Sequence, residues 1–121
     1  MKDDIIFLLI TICFSAFGQL LLKYSVIGMG GINFKNKNIF TVLLHIFTNG
    51  WILLGLLLFS LSMILWLKVI SNMELSRAYP SVSLSYVIVF IFSIFLFGEG
   101  VTFSKVAGII SIIIGVFLLQ R

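Results

Sequence analysis

Four apolar stretches, each about as long as a bilayer is thick, constrain this chain more than any other feature of its sequence. A helix crosses the hydrocarbon core with about 20 apolar residues, and such stretches cover residues 5–26, 51–70, 79–97 and 101–119. Only 10% of the residues are charged and the mean hydropathy is +1.27, whereas a soluble domain carries about 25% charged residues. The sequence therefore predicts an all-α integral membrane protein, with residues 1–121 forming a single four-span transmembrane domain.

A fifth apolar segment, residues 39–49, is too short to cross a bilayer. Its large apolar residues recur at helical spacing on one face: Phe40, Leu43, Leu44 and Phe47. This pattern predicts a short interfacial helix between spans one and two, with a slanted lead-in to span two as the alternative. His45 lies on this segment. We interpret it as a residue at the membrane interface whose imidazole reaches water, because the sequence offers no partner for a metal or proton role.

The first apolar stretch is interpreted as a retained span and not as a cleaved signal peptide. Asp3 and Asp4 follow Lys2, no A-x-A cleavage site is present, and the apolar run continues past Lys23.

The flanking charges leave the orientation of the chain open. Four cations are expected on the side of the N-terminus, namely Lys2, Lys68, Arg77 and Arg121. Four others are expected on the opposite side, namely Lys23, Lys35, Lys37 and Lys105. Such a balance is expected of a chain that inserts in both orientations, and equally of a subunit that is oriented by a partner.

Span one carries a polar stripe. Thr11, Ser15, Gln19 and Lys23 recur every four residues over about 18 Å, and Gly18 beside them allows another backbone to approach. Because polar side chains in a bilayer must be satisfied, we expect the stripe to face the interior of the helix bundle. Hydrogen bonding between helices, together with a lysine that snorkels to the surface, is the alternative.

The start of span three, "ELSRAYPSVSLSY" at residues 74–86, is unusually polar for a membrane helix. On a helix, one side would present Ser76, Tyr79, Ser83 and Tyr86. The roughly opposite side would present Arg77, Ser81 and Ser85. We expect Pro80 to bend the start of the span and nearby serines to satisfy the freed backbone groups. The pattern predicts a helix wedged between a cavity and another helix, although Tyr79 in an aromatic belt and Arg77 as a positive flank are the simpler alternatives.

Span four has a stripe of small residues at Gly108, Ser111 and Gly115. Small residues at this spacing indicate close helix packing, either within one chain or between two. No internal inverted repeat is visible, and alternating access usually needs two related halves. We therefore expect a homodimer, antiparallel if the chain inserts both ways, or a heterodimer with a paralogue, packed through this stripe.

The sequence lacks the residues of a metal centre or an enzyme. It has one histidine and one cysteine, Cys13. Its carboxylates lie at predicted ends and turns: Asp3, Asp4, Glu74 and Glu99. We expect no catalytic activity, no metal or other cofactor, and no nucleic-acid partner.

Several motifs resemble the small multidrug resistance and EamA-type four-helix proteins of the drug/metabolite transporter superfamily. They are "SAFGQLLLKYS" at residues 15–25, "AYPSVSLSYV" at 78–87, "FGE" at 97–99 and "GIISIIIGV" at 108–116. Small multidrug exporters carry a glutamate at the position of Ser15 and a tryptophan at the position of Val82. Both departures argue against proton-coupled drug export. The chain is more similar to the subunits that flip aminoarabinose-charged undecaprenyl phosphate.

This resemblance implies movement of a polyprenyl-phosphate-linked sugar between the leaflets of the inner membrane. The implied substrate-binding residues are Ser15, Gln19, Lys23, Arg77, Tyr79, Ser83 and Tyr86. Among them, Arg77 and Lys23 would pair with phosphate and the hydroxyl and amide groups would bind the sugar. A multidrug-type cation exporter and a non-transporting partner subunit are the alternatives.

Overall fold

The computed structural model describes residues 2–35 and 37–121, and these residues form helices and no strands. The helices are α1 (Lys2–Gly28), α2 (Ile39–Thr48), α3 (Gly50–Asn72), α4 (Leu75–Ser81), α5 (Leu84–Phe97) and α6 (Phe103–Gln120). Helices α4 and α5 together form one span, so four segments are long and apolar enough to cross a membrane. The predicted fold class, with a shorter apolar helix between spans one and two, is confirmed.

Span three begins earlier than predicted. Only Met73 and Glu74 separate α3 from α4, so the helix resumes at Leu75 and Pro80 lies in the last turn of α4. Hydropathy placed the start of the span at residue 79 or 80 because Ser76 and Arg77 are polar. Such residues remain compatible with a helix at the end of a span, where their side chains reach water.

Span three is divided into α4 and α5 directly after Pro80, and helix precedes this proline. Across the break, the amide of Val82 donates to Tyr79 O (3.2 Å) and that of Ser83 donates to Pro80 O (3.0 Å), the tighter spacing of a 3₁₀ turn. The hydroxyl of Ser81 donates to Arg77 O at 2.8 Å, and that of Ser83 donates to Pro80 O. Serine hydroxyls therefore satisfy carbonyls beside the break.

Helices α1 and α3 form the tightest pair in the bundle. A Cβ on Gly18 would lie 3.1 Å from the carbonyl oxygen of Gly55, and a Cβ on Gly55 would lie 3.2 Å from that of Gly18. The buried hydroxyl of Ser62 donates to Thr11 O at 3.0 Å and adds a hydrogen bond between the same two helices. The expected close approach of a backbone at Gly18 is thus confirmed.

Helix α6 is held loosely against this core. Val116 is its only buried residue among those described. Its last residue, Gln120, donates to Arg77 O (3.3 Å) and to the hydroxyl of Ser81 (2.5 Å). At its start, Thr102 caps the helix by accepting a hydrogen bond from the amide of Lys105.

The bundle has two polar ends. The "Arg77 end" contains Asn72, Arg77 and Gln120, and there the amide of Asn72 donates to Asp4 Oδ1 at 3.0 Å. The opposite "Lys23 end" contains Lys23, Glu99 and Lys105. Helix α1 runs from the Arg77 end to the Lys23 end.

Helix α2 lies between α1 and α3 in sequence and exposes its large apolar side chains, while Val42 is buried. Its most exposed residues are Ile39 (63%), Phe40 (69%) and Phe47 (57%). The helix is present where the sequence predicted it, and its position at the membrane interface stays a prediction.

Candidate functional site

A cavity of about 480 Å³ lies between α1, α3 and the α4–α5 break, and it is called the Tyr79 cavity below. Its lining is mostly apolar and aromatic, interrupted by hydroxyl groups. The lining residues are Thr11, Ser15, Phe59, Ser62, Met63, Trp66, Tyr79, Pro80, Val82, Ser83 and Tyr86. Pro80, at the break in span three, is one of the residues that line the cavity beside the closely packed pair of α1 and α3.

The hydroxyls that line the cavity fall into two groups. Those of Thr11 and Ser83 bond carbonyls of their own segments, and that of Ser62 bonds Thr11 O. By contrast, no described residue is a hydrogen-bond partner of the hydroxyls of Ser15, Tyr79 or Tyr86. Three hydroxyl groups are therefore available to a ligand, and each can donate or accept.

Aromatic side chains form one side of the cavity and leave it open laterally. The rings of Trp66 and Tyr79 meet edge to face, with centroids 6.1 Å apart and planes at 66°. Tyr79 is 70% exposed and Tyr86 is 62% exposed. A ligand could therefore reach the cavity from the side of the bundle, either from lipid or from a second subunit.

Four of the seven residues expected to bind substrate line this one cavity. They are Ser15 on α1, Tyr79 on α4, Ser83 at the break and Tyr86 on α5. The helical spacing of the tyrosines and serines in span three was the signal that grouped them. On the opposite side of the span, Ser81 and Ser85 are buried, as expected for a wedged helix.

Gln19 and Lys23 do not line the Tyr79 cavity. Each step of four residues turns a helix by about 40° beyond a full circle, so the stripe that is buried at Thr11 becomes exposed at Gln19 and Lys23. The expectation that the whole stripe faces the interior is wrong for these two residues. Lys23 instead forms an ion pair with Glu99, and its Nζ lies 5.0 Å from the centre of the Phe97 ring.

Arg77 lies beside a different cavity, of about 340 Å³, at the Arg77 end of the bundle. Its Nε is 3.9 Å from Glu74 Oε2, and Asp4 lines the same cavity. Asp4 and Lys23 are separated by about 28 Å along α1. Arg77 and Lys23 therefore lie at opposite ends of the bundle, as their assignment to opposite sides of the membrane predicted, and their role in binding phosphate stays a prediction.

Sequence reasoning missed the contribution of α3 to the cavity. Phe59, Ser62, Met63 and Trp66 line it, yet none was expected at the site. Ser62, in "FSLSM" at residues 59–63, was the available signal, because a serine within an apolar span needs a partner.

The small-residue stripe of α6 makes no close packing contact within the described chain. A Cβ added to Gly108 or Gly115 would meet no atom within 4 Å. The hydroxyl of Ser111 donates to Ala107 O of its own helix at 2.8 Å. Packing through this stripe would therefore have to involve another chain, and it stays a prediction.

Known proteins resemble the chain over most of its length. It is 34% identical over 125 residues to the probable 4-amino-4-deoxy-L-arabinose-phosphoundecaprenol flippase subunit ArnF of Photorhabdus laumondii, covering 93% of each protein. It is 35% identical to the subunit of the same name from Erwinia tasmaniensis, covering 84% of this chain and 81% of that protein. It is 38% identical to the probable flippase subunit ArnE of Pectobacterium atrosepticum, covering 60% of this chain and 65% of that protein.

No solved structure matches the chain. The four membrane-crossing helices describe a multi-pass membrane protein, and the relatives are named as flippase subunits and not as enzymes. Residues 5–121 match the EamA-like transporter family. The chain belongs to that family.

Proposed function

We propose that this chain is a subunit of an inner-membrane transporter that moves a polyprenyl-phosphate-linked sugar from one leaflet to the other. The names of its relatives support this class of substrate. The observation that carries the proposal is the Tyr79 cavity, which combines lateral access, apolar walls and three hydroxyls without partners among the described residues.

The chemistry of such a lipid fits the cavity in three ways. Its sugar presents hydroxyl or amino groups, which the side chains of Ser15, Tyr79 and Tyr86 can bind by hydrogen bonds. Its apolar tail can remain in the bilayer because the cavity opens sideways. The ring of Trp66 adds a flat apolar surface of the kind that packs against a sugar ring.

The phosphate would be bound nearer the membrane surface. Arg77 precedes Tyr79 by two residues at the same end of the bundle, and its guanidinium offers paired donors that match phosphate oxygens. In the free protein this group lies beside Glu74 at the surface. A lipid phosphate would compete with that exposed carboxylate, whose pairing with Arg77 contributes little.

The depth of the cavity is suited to a transporter. Ser15 lies near the midpoint of the 27-residue helix α1, and Tyr79 lies close to the Arg77 end of α4. A headgroup bound between them would have travelled from the surface to about the centre of the bilayer.

A cation exporter is less well supported by the same geometry. An organic cation in a membrane cavity needs an anionic partner. The residues that line the Tyr79 cavity include no carboxylate. Glu99 is paired with Lys23 at the far end of the bundle.

We further infer that the single four-span domain works in a dimer. Helix α6 is the most exposed span, and Gly115 has no neighbour within 4 Å of a Cβ position. The relatives carry two different subunit names, ArnE and ArnF, which favours a heterodimer with a paralogue over a homodimer.

The proposal is tested by measuring transbilayer movement of 4-amino-4-deoxy-L-arabinose-phosphoundecaprenol in membrane vesicles from cells with and without the chain. We expect the lipid to reach the far leaflet only when the chain is present. The same vesicles are tested for uptake of an aromatic cation. Cation uptake without movement of the lipid would replace this proposal with the exporter.

A further inference from the structure

A further cavity, the α5–α6 groove, has a volume of about 390 Å³ and lies between α5 and α6. Its wall on α5 extends from Tyr86 to Ser93, and its wall on α6 extends from Ile112 to Lys105. Tyr86 also lines the Tyr79 cavity. The two cavities are therefore neighbours along span three, and Tyr86 lines both of them.

Together the two cavities follow most of the length of span three. The helical rise from Tyr79 to Ser93 is about 21 Å, compared with a hydrocarbon thickness of about 30 Å. The Tyr79 cavity covers the half towards the Arg77 end, and the groove continues to Glu99 and Lys105 at the Lys23 end. A headgroup in the first cavity has reached only the middle of the bundle, and the groove provides the remaining distance.

The outer end of the groove carries a positive charge without an ionic partner. Glu99 is paired with Lys23. Lys105 Nζ donates to Gly100 O at 2.8 Å, and among residues 2–35 and 37–121 it forms no ion pair. An anionic phosphate that arrived at this end would therefore be attracted by Lys105.

Gly108 keeps the middle of the groove wide. It lines the α6 wall, and no atom lies within 4 Å of the position that its Cβ would occupy. A larger side chain at this position would project into open space without displacing a packed neighbour. Gly115, one of the other small residues of α6, is not among the residues that line the groove.

We propose that the α5–α6 groove is the second half of the path along which the phosphate-linked headgroup crosses the membrane, with Tyr86 at the junction and Lys105 at the far end. This inference rests on the proposed function. It assigns Gly108 to the lining of the path and leaves Gly115 for packing between subunits.

The first test compares Gly108→Leu with Gly115→Leu in vesicles that contain 4-amino-4-deoxy-L-arabinose-phosphoundecaprenol. A leucine at position 108 should fill the groove, so we expect lipid movement to fall to the level of vesicles without the chain while crosslinked dimer remains as in wild type. Gly115→Leu should instead lose the crosslinked dimer. Wild-type lipid movement by Gly108→Leu, or loss of its dimer, would overturn the assignment of the groove.

The second test does not depend on transport. Single cysteines are introduced by Ile112→Cys and Ile114→Cys in a Cys13→Ser chain and treated with a charged thiol reagent that does not cross membranes. Ile112 lines the groove, whereas Ile114 is 54% exposed and does not line it. We expect much faster labelling at position 112. Equal labelling at the two positions would overturn the assignment of the groove to the path, even when the lipid moves normally. A wild-type chain that moves no lipid would overturn the proposed function and the path together.

Discussion

Tyr79 packs edge-on against Trp66, and its hydroxyl has no hydrogen-bond partner among the described residues although its ring lines one side of the cavity. The ring and the hydroxyl of this tyrosine therefore have separable roles. The ring supports packing between α3 and α4, while the hydroxyl is available to a ligand.

Replacing Tyr79 with phenylalanine should reduce lipid movement while the bundle stays folded. The ring contact with Trp66 is retained, so we expect the free energy of unfolding in detergent to change by less than about 1 kcal/mol. Tyr24→Phe is a matched control, because Tyr24 also meets a tryptophan edge-on, with its centroid 5.9 Å from that of Trp51, but lies outside the Tyr79 cavity. Equal transport by the two variants would remove the Tyr79 hydroxyl from the site.

Lipid movement should depend on the shape of the Arg77 guanidinium as well as on its charge. If it binds a phosphate through two donors, Arg77→Lys should lose part of the lipid movement and Arg77→Ala nearly all of it. Arg121→Ala is the control, since Arg121 is a cation of the same end that lies over the ring of Phe117, 5.9 Å from its centre. Full activity of a well-expressed Arg77→Ala protein would show that Arg77 is only a flanking charge.

The contact between Gly18 and Gly55 should tolerate no side chain. Both closest atoms to a Cβ at position 18 belong to backbone, Gly55 O at 3.1 Å and Phe59 N at 3.4 Å. Because backbone cannot rotate away, we expect Gly18→Ala to destabilise the folded chain by about 1–3 kcal/mol. Gly115→Ala, where a Cβ meets nothing within 4 Å, should leave the monomer unchanged or stabilise it by up to about 1 kcal/mol. Unfolding in detergent, monitored by circular dichroism, measures the stability of both variants. Equal stabilities of Gly18→Ala and Gly115→Ala would contradict the close crossing of α1 and α3.

The ion pair between Lys23 and Glu99 should contribute little to stability. The two side chains are 47% and 33% exposed, and pairs of this kind couple by about 0.2–1 kcal/mol. Unfolding of Lys23→Met, Glu99→Gln and the double variant gives the coupling energy directly. A value of several kcal/mol would mean that the pair is shielded from solvent and fixes this end of the bundle.

Much of the fold could be predicted because the bilayer requires it. Four apolar stretches of spanning length lead to four helices, and Gly18 beside the polar stripe indicated the close approach that Gly55 completes. The start of span three could not be placed by hydropathy, since Ser76 and Arg77 are helical but polar.

The candidate site was predictable where its residues recur along one face of a helix. Tyr79, Ser83 and Tyr86 were grouped by helical spacing, and Ser15 joined them through its stripe. The approach of α3 could not be predicted from a single sequence, so Met63 and Trp66 were missed. The separation of Arg77 from Lys23 was predictable, because counting the spans assigns the two cations to opposite sides of the membrane.

Photocrosslinking tests whether the Tyr79 cavity holds the headgroup of the lipid. A photoreactive amino acid is placed at Met63, which lines the cavity, or at Ile64, which does not, and their side chains are equally exposed at 62% and 63%. Membranes are irradiated with radiolabelled 4-amino-4-deoxy-L-arabinose-phosphoundecaprenol. We predict strong labelling at position 63 that an excess of unlabelled lipid abolishes, and weak labelling at position 64 that it does not change. Equal labelling at both positions, unaffected by unlabelled lipid, would show that the headgroup does not occupy the Tyr79 cavity.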